Sequence, residues 1–360
     1  WSSDVCSSDL PIRPPNATTR YPVNRLCHPL RFGVVAVVAA LAVSSCSGSD
    51  GETLNVYSGR HYDIEKAFEL YEEETGVNVK FLTGNDAALR ERIEAEGADT
   101  EADAYITVDA GNLATAAADG LFQPLQSEIL QNAIPAELSD PDGYWYALTI
   151  RARTIVYNTD LLDESDVPTT YEELAEPQWK GRICLRDSTN VYQQSLVASL
   201  IANLGEDEAL RIVEGWADNA TILSNDVLIL ESLADGLCEV GITNHYYLGR
   251  MLAEDPDMPV DLVWADQDGR GVHVNISGGG VTTHSKQPEL ARDFLEWLAT
   301  DGQDVLVSAN HEYPANPSVA PEPVISREFG TDFVRDPLDA ATFGGLNADA
   351  VRLMDEAGYG

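Results

Sequence analysis

The sequence predicts an α/β protein of two domains joined by two extended crossings. Three observations carry this expectation. Apolar, strand-like runs alternate with segments of helical period along most of the chain, the pattern of a parallel sheet covered by helices. The 360 residues are enough for two such units. Two long extended stretches, Tyr144 to Asn158 and Val272 to Ser277, break the alternation. Boundaries placed there give a first domain of 53–148 plus 277–320 and a second of 149–276 plus 321–360.

The N-terminal part stands outside these domains. Residues 1–30 show no periodicity, and Trp1 to Leu10 reads as an artefact of assembly or a misassigned start. Phe32 to Val43, preceded by Arg31, is an apolar run too short to span a bilayer. It suits the core of an export signal. The run ends in Val43-Ser44-Ser45-Cys46, which resembles a bacterial lipoprotein box. Lipidation at Cys46 would leave residues 47–52 as a tether and place the protein outside the cytoplasm, anchored to the membrane. A plain secretory signal with an incidental cysteine is the alternative.

Charge narrows the function classes. Sixty acidic side chains face 22 basic ones, a net charge of −38. Residues 1–45 hold two aspartates and four arginines, so the acid excess belongs to the rest. Such a surface repels phosphate backbones and argues against nucleic-acid binding. It also disfavours strongly anionic ligands unless local basic groups compensate.

Taken in order, Leu54 to Ser58 is a first strand running into the polar loop Gly59-Arg60-His61-Tyr62. Ile64, Ala67, Phe68 and Tyr71 fall at helical spacing and stop at Thr75-Gly76. Val77 to Leu82 is a second strand, Leu89 and Ile93 mark a helix, and Ala102 to Val108 is a third strand. Ligands of parallel α/β sheets bind at the carboxyl ends of strands, where His61, Tyr62 and Asp109 fall. Trp145 to Ile150 and Thr154 to Asn158 read as two extended segments interrupted by Arg151 and Arg153, the first crossing. Asp187-Ser188-Thr189-Asn190 is a helix-start cluster ahead of Tyr192, able to hold an anion. A polar loop with Asn225 precedes the next helix. Val272 to Ser277 forms the second crossing, which Gly278 to Gly280 leave room to bend, and a helical tail ends the chain.

Two features point to chemistry. Asn244-His245-Tyr246-Tyr247 lies between an apolar run and a helical stretch beginning near Leu248; where a strand gives way to a loop or helix start, both phenols can face one cleft. Phenols ordinarily titrate near pH ~10, and a pair aimed at one point suits a hard trivalent cation that displaces their protons. An ordinary half-buried aromatic pair is the plain alternative. Cys184 and Cys238 are the two cysteines of the folded part, in runs read as strands of one sheet. In an exported protein such a pair suggests a disulfide; two buried thiols remain the other reading.

The motifs Tyr57-Ser58-Gly59-Arg60-His61-Tyr62, Asp187 to Tyr192, Asn244 to Tyr247, and His273 to Gly278 with Tyr313-Pro314 occur in that order. With them the chain resembles, over about residues 53–318, the ferric-iron-binding proteins of ABC importers, of the type II periplasmic binding protein fold. The resemblance implies a two-domain clamshell, likeness to the branch with one His and four Tyr ligands, and His61, Tyr62, Tyr192, Tyr246 and Tyr247 as those ligands. It further implies Fe(III) as cargo and an ABC permease as partner. A synergistic anion (carbonate, citrate or phosphate) or water would fill the open position, and the protein would act as a monomer. Another branch takes a Glu ligand after the third strand. Here that position is Val108, and Asp109 is not counted as a ligand. Ser188, Thr189, Asn225 and Asn244 could hold an anion. Arg60 would balance the ligand charge or orient the anion, or else form an interdomain salt bridge.

Phenolates and an imidazole make an oxygen-rich anionic set suited to Fe(III). Rival readings keep the fold and bind a polyamine or small oxyanion, the tyrosines then forming aromatic walls. An iron-dependent enzyme would need open positions beside two His and a carboxylate, which this set does not offer.

Overall fold

The computed structural model describes residues 52–60 and 64–360. The leader, Cys46, nearly all of the tether, His61 and Tyr62 lie outside the described residues. Ten strands are described: β1 (Thr53–Ser58), β2 (Asn78–Thr83), β3 (Ala104–Thr107), β4 (Tyr146–Asn158), β5 (Ile183–Arg186), β6 (Ala220–Leu223), β7 (Val240–Asn244), β8 (Val260–Val263), β9 (Val274–Val281) and β10 (Tyr313–Pro314). The first half carries helices α1 (Glu65–Thr75), α2 (Asp86–Glu96), α3 (Ala110–Ala118) and α4 (Glu128–Ala133). Then come α5 (Val191–Leu204), α6 (Glu206–Asn219), α7 (Asp226–Ala234), α8 (His245–Glu254), α9 (Pro288–Leu298) and α10 (Gln303–Ser308). The tail forms α11 (Pro323–Glu328), α12 (Ala340–Gly345) and α13 (Asn347–Glu356).

Strand order along the sheet is β2-β1-β3-β9-β4-β7-β5-β6. β1 pairs in parallel with β2 and β3, and β5 pairs in parallel with β6 and β7. These two parallel blocks form the cores of a first and a second lobe, joined by the antiparallel pair β4–β9. The two extended segments expected around Arg151 and Arg153 are one strand. β4 runs for 13 residues, all buried. Its first part, Tyr146 to Ala152, pairs with β9, and Arg153 to Tyr157 pairs with β7. An arginine survives in a strand buried on both faces because each guanidinium finds partners inside: Arg153 Nη1 lies 2.8 Å from Asp226.

The bend expected at Gly278 to Gly280 does not form. These glycines continue β9 and pair with Thr107, Ile106 and Tyr105. A Cβ on Gly278 would sit 2.7 Å from the Tyr146 carbonyl oxygen, and one on Gly280 2.5 Å from that of Tyr144. Glycine is required there for close approach rather than for flexibility. Gly76, by contrast, ends α1 with φ 77° as a left-handed cap, at the position where the helical spacing stops in the sequence.

Apolar packing fixes each lobe. Phe68 and Tyr71 of α1 meet Phe294 of α9 edge to face, with centroids 5.3 and 4.9 Å apart. In the second lobe, fully buried Trp216 donates from Nε1 to the Tyr171 carbonyl at 3.0 Å. A disulfide joins Cys184 and Cys238, with Cα atoms 5.9 Å apart, tying β5 to the approach to β7. α13 packs on α5 and α6, whereas α12 packs on both α3 and α5 and so touches both lobes. Among the described residues no helix is long and apolar enough to cross a membrane.

Candidate metal centre between the lobes

Three tyrosines converge from two helix starts. Asn244 ends β7, and α8 begins at once, which puts Tyr246 and Tyr247 in its first turn. Their ring centroids are 4.3 Å apart. Asn190 caps α5 by accepting the Tyr192 N–H at 3.0 Å, which sets Tyr192 in the first turn of that helix. The Tyr192 and Tyr246 phenols lie close enough for each to shift the other's titration. Helix N-termini carry partial positive charge and favour anions, so both helices favour the phenolate form that a metal requires.

Burial works the other way. It pushes the Tyr246 phenol well above its ordinary pKa of 10, and the neighbouring Tyr192 and Tyr247 push it further. Tyr192 is also raised by burial, with the Arg151 charge pulling it back. Arg151 Nη1 donates to the Tyr192 hydroxyl at 3.2 Å, and its Nη2 donates to the Ile276 carbonyl at 2.7 Å. Burial opposes the Arg151 charge, but Tyr192, Glu312, Tyr246 and Asp109 outweigh it, so the guanidinium stays cationic. The site therefore sets the Tyr192 and Tyr246 phenols, both held in the protonated form by burial, beside a fixed cation, able to release protons to an ion of high charge density.

Arg60 is committed to Glu312. Its Nη1 lies 2.5 Å from that carboxylate, with Thr149 and Ser277 hydroxyls at 3.2 and 3.3 Å, and its Nη2 donates to the Leu306 carbonyl. Arg60 and Glu312 both fall within 53–148 plus 277–320, so this is an ion pair inside the first domain and not the interdomain bridge considered for Arg60. The pair links the loop after β1 to β4, β9 and the segment before β10.

Most of the expected anion-binding residues have groups engaged within the protein. The Ser188 N–H donates to the Gly360 carbonyl at 3.3 Å, Thr189 pairs with the Asp187 carboxylate, and Asn225 caps α7 by accepting the Leu228 N–H at 2.8 Å. Asn244 differs: its Nδ2 is buried without a partner, two residues from Tyr246. Asp109 caps α3 and accepts from Asn112 N–H and Asn275 Nδ2, at 3.0 and 2.9 Å. A cavity of about 680 Å³ opens between the lobes, lined by Asn85, Asp86 and Asn112 on one side and Thr189, Val191 and Gln194 on the other; none of the three tyrosines lines it. Burial raises the Asp86 carboxyl to about 7.

The profile of the bacterial extracellular solute-binding proteins matches residues 66–331. The chain belongs to that family. This solute-binding protein is 38% identical over 345 residues to iron uptake protein A1 of Synechocystis, covering 90% of this chain and 94% of the relative. It is 26% identical over 341 residues to the major ferric iron-binding protein of Neisseria meningitidis, covering 91% and 98% of the two chains. Among solved structures it is similar to a Trichodesmium protein in complex with iron and citrate: TM-score 0.80, 38% identity, covering 86% of this chain and all of that one. The Campylobacter jejuni ferric binding protein superposes with TM-score 0.80 at 32% identity, over 85% and 100% of the chains. These neighbours share the type II periplasmic binding protein fold.

In the sequence Arg151 stands out only as an interruption, and Glu312 carries no motif. The signal for Arg151 was present: arginines at 151 and 153 inside an otherwise apolar strand need buried counter-charges. Which acids supply them is not written locally, because Glu312 lies 252 residues from its other partner, Arg60.

Proposed function

We propose that this solute-binding protein captures Fe(III) between its lobes and hands it to the permease of an ABC importer. The observation that carries this reading is the meeting of Tyr192, Tyr246 and Tyr247 at two helix starts beside Arg151. His61 and Tyr62 complete the ligand set from the first lobe, which makes the site a clamshell of 53–148 plus 277–320 against 149–276 plus 321–360. Iron uptake and ferric-binding relatives support the cargo. The iron- and citrate-bound neighbour supports a synergistic anion at the remaining position, with the Asn244 amide as a donor to it. The role is carriage rather than catalysis, since five protein ligands leave one position open. The protein acts outside the cytoplasm as a monomer held by a lipid on Cys46.

Metal binding displaces the phenolic protons and draws the lobes together about β4 and β9. Reduction to Fe(II) weakens the hold, because an ion of lower charge gains less from phenolates.

The test is a visible absorption titration with ferric citrate. Iron bound by tyrosinate gives a charge-transfer band that saturates at one iron per chain and is bleached by dithionite. Tyr192→Phe and Tyr246→Phe weaken the band and the affinity. No band and no thermal shift with the wild-type protein would overturn the iron reading in favour of a polyamine or oxyanion.

A further inference from the structure

Asn275, in the second crossing, is not among the iron ligands, yet it is a point where the two lobes meet. Its Nδ2 donates to Asp109 Oδ1 and to Ser195 Oγ, each at 2.9 Å. Its Oδ1 accepts the Ala110 N–H at 3.0 Å. Asp109 and Ala110 begin α3 of the first lobe. Ser195 belongs to α5 of the second lobe and is held from its other side by His273 Nε2 at 2.8 Å. Asn275, Asp109, Ser195 and His273 are all buried. One amide on the connecting strand is thus bonded to a helix of each lobe.

Ser195 follows Tyr192 by three residues on α5, so both lie on one helix face. Whatever holds Ser195 toward α3 also holds Tyr192 toward the first lobe. A second contact acts in the same direction. α12 packs on α3 as well as α5, and the approach is close: a Cβ on Gly344 would lie 2.8 Å from Gly111 Cα and 3.2 Å from Gly111 N. Only glycine permits this contact between the tail and the start of α3.

We propose that Asn275 is a positioning residue that clasps α3 to α5 and thereby slows the release of iron. The inference rests on the iron-capture reading for its cargo, but the clasp is a property of the two lobes themselves. When the lobes part, α5 and α3 separate, and the amide loses either Ser195 or Asp109. The bond to Asp109 is to an ionisable partner and so is among the stronger hydrogen bonds. Losing the clasp therefore speeds opening by about tenfold or more.

The experiment compares wild type with Asn275→Ala and Ser195→Ala. Ser195→Ala removes only the partner on α5 and leaves the rest of the helix packing in place, so it serves where Asn275→Ala fails to fold. Iron release from the loaded protein to excess EDTA is followed by stopped-flow decay of the charge-transfer band. Small-angle scattering reports the radius of gyration without iron. The expected result is release about tenfold faster, unchanged band position and stoichiometry, and a more open iron-free form, with a cooperative melting transition showing that the variant is folded. A folded Ser195→Ala variant with wild-type release and scattering would overturn the clasp. If wild type gives no band, the iron reading fails while scattering still decides the clasp: a more open Ser195→Ala supports it, and an unchanged radius refutes it.

Discussion

Replacing Glu312 by glutamine tests how much the buried ion pair beside the crossing contributes to stability. Both side chains of the Arg60–Glu312 pair are only 2% exposed. Glu312 Oε2 takes Arg60 Nη1 and the Thr149 hydroxyl, while Oε1 accepts Asn310 Nδ2 at 2.7 Å. A glutamine fills the same space but presents an NH₂ group where one oxygen stood. At least one of these donors then faces another donor, which costs about 1–3 kcal/mol, and Arg60 loses its buried counter-charge. Breaking a buried pair on one side costs about 3–5 kcal/mol. Urea unfolding of Glu312→Gln is expected to show a loss of that order with an unchanged slope. The double variant Arg60→Met/Glu312→Leu is expected to lose less than Glu312→Gln, since it leaves no unpaired charge. Burial would raise the Glu312 carboxyl, but Arg60 and Arg151 outweigh it and hold it below its usual 4.5. Its contribution is therefore full above pH 4.5 and is lost as pH falls through the lowered folded value. A loss under about 1 kcal/mol, typical of an exposed pair, would refute the reasoning by showing that water reaches the site.

Further outcomes follow from the same structure. Iron affinity falls as pH falls, because the buried Tyr192 and Tyr246 phenols are raised and must give up protons to bind; equilibrium titrations at several pH values read this, and a pH-independent affinity would contradict it. His273 is buried and held neutral, its pKa lowered to about 3 by burial, with Arg153 and Arg270 adding to the effect. Its unfolded form gains a proton below about 6.5, so stability is full above that pH and declines as pH falls toward 3. His273→Gln should flatten the thermal-stability profile between pH 6.5 and 5 relative to wild type. Cys184 and Cys238 close a loop with a sequence separation of 54, and converting both to alanine is expected to cost about 2–4 kcal/mol in chemical unfolding. Iron stoichiometry should be retained in that variant, because the bridge lies at the end of β5 away from the tyrosines.

Local pattern carried a large part of this protein. The alternation of strands and helices depends on neighbours two to four residues apart, so β1 to β3 with α1 to α3 could be read from periodicity alone. For Tyr246 and Tyr247 the pattern shows only the end of a strand ahead of a helical stretch near Leu248; that α8 already begins at His245, with both phenols in its first turn, is set by the fold. The helix-start cluster ahead of Tyr192 was readable locally, although Asn190 rather than Ser188 or Thr189 proved to be the cap.

What tertiary packing decided is the company these residues keep. Nothing near Arg151 in the chain says that it will lie against Tyr192, 41 residues on. Nothing near Asn275 says that it will join Asp109 to Ser195. Gly278 to Gly280 looked like a bend and turned out to be a strand, because the space for a Cβ is taken by carbonyl oxygens of a distant segment. The physical reason is common to all three. A buried charge, amide or missing side chain is selected by the groups it faces across the sheet, and those groups are brought together only when the lobes fold onto the shared strands.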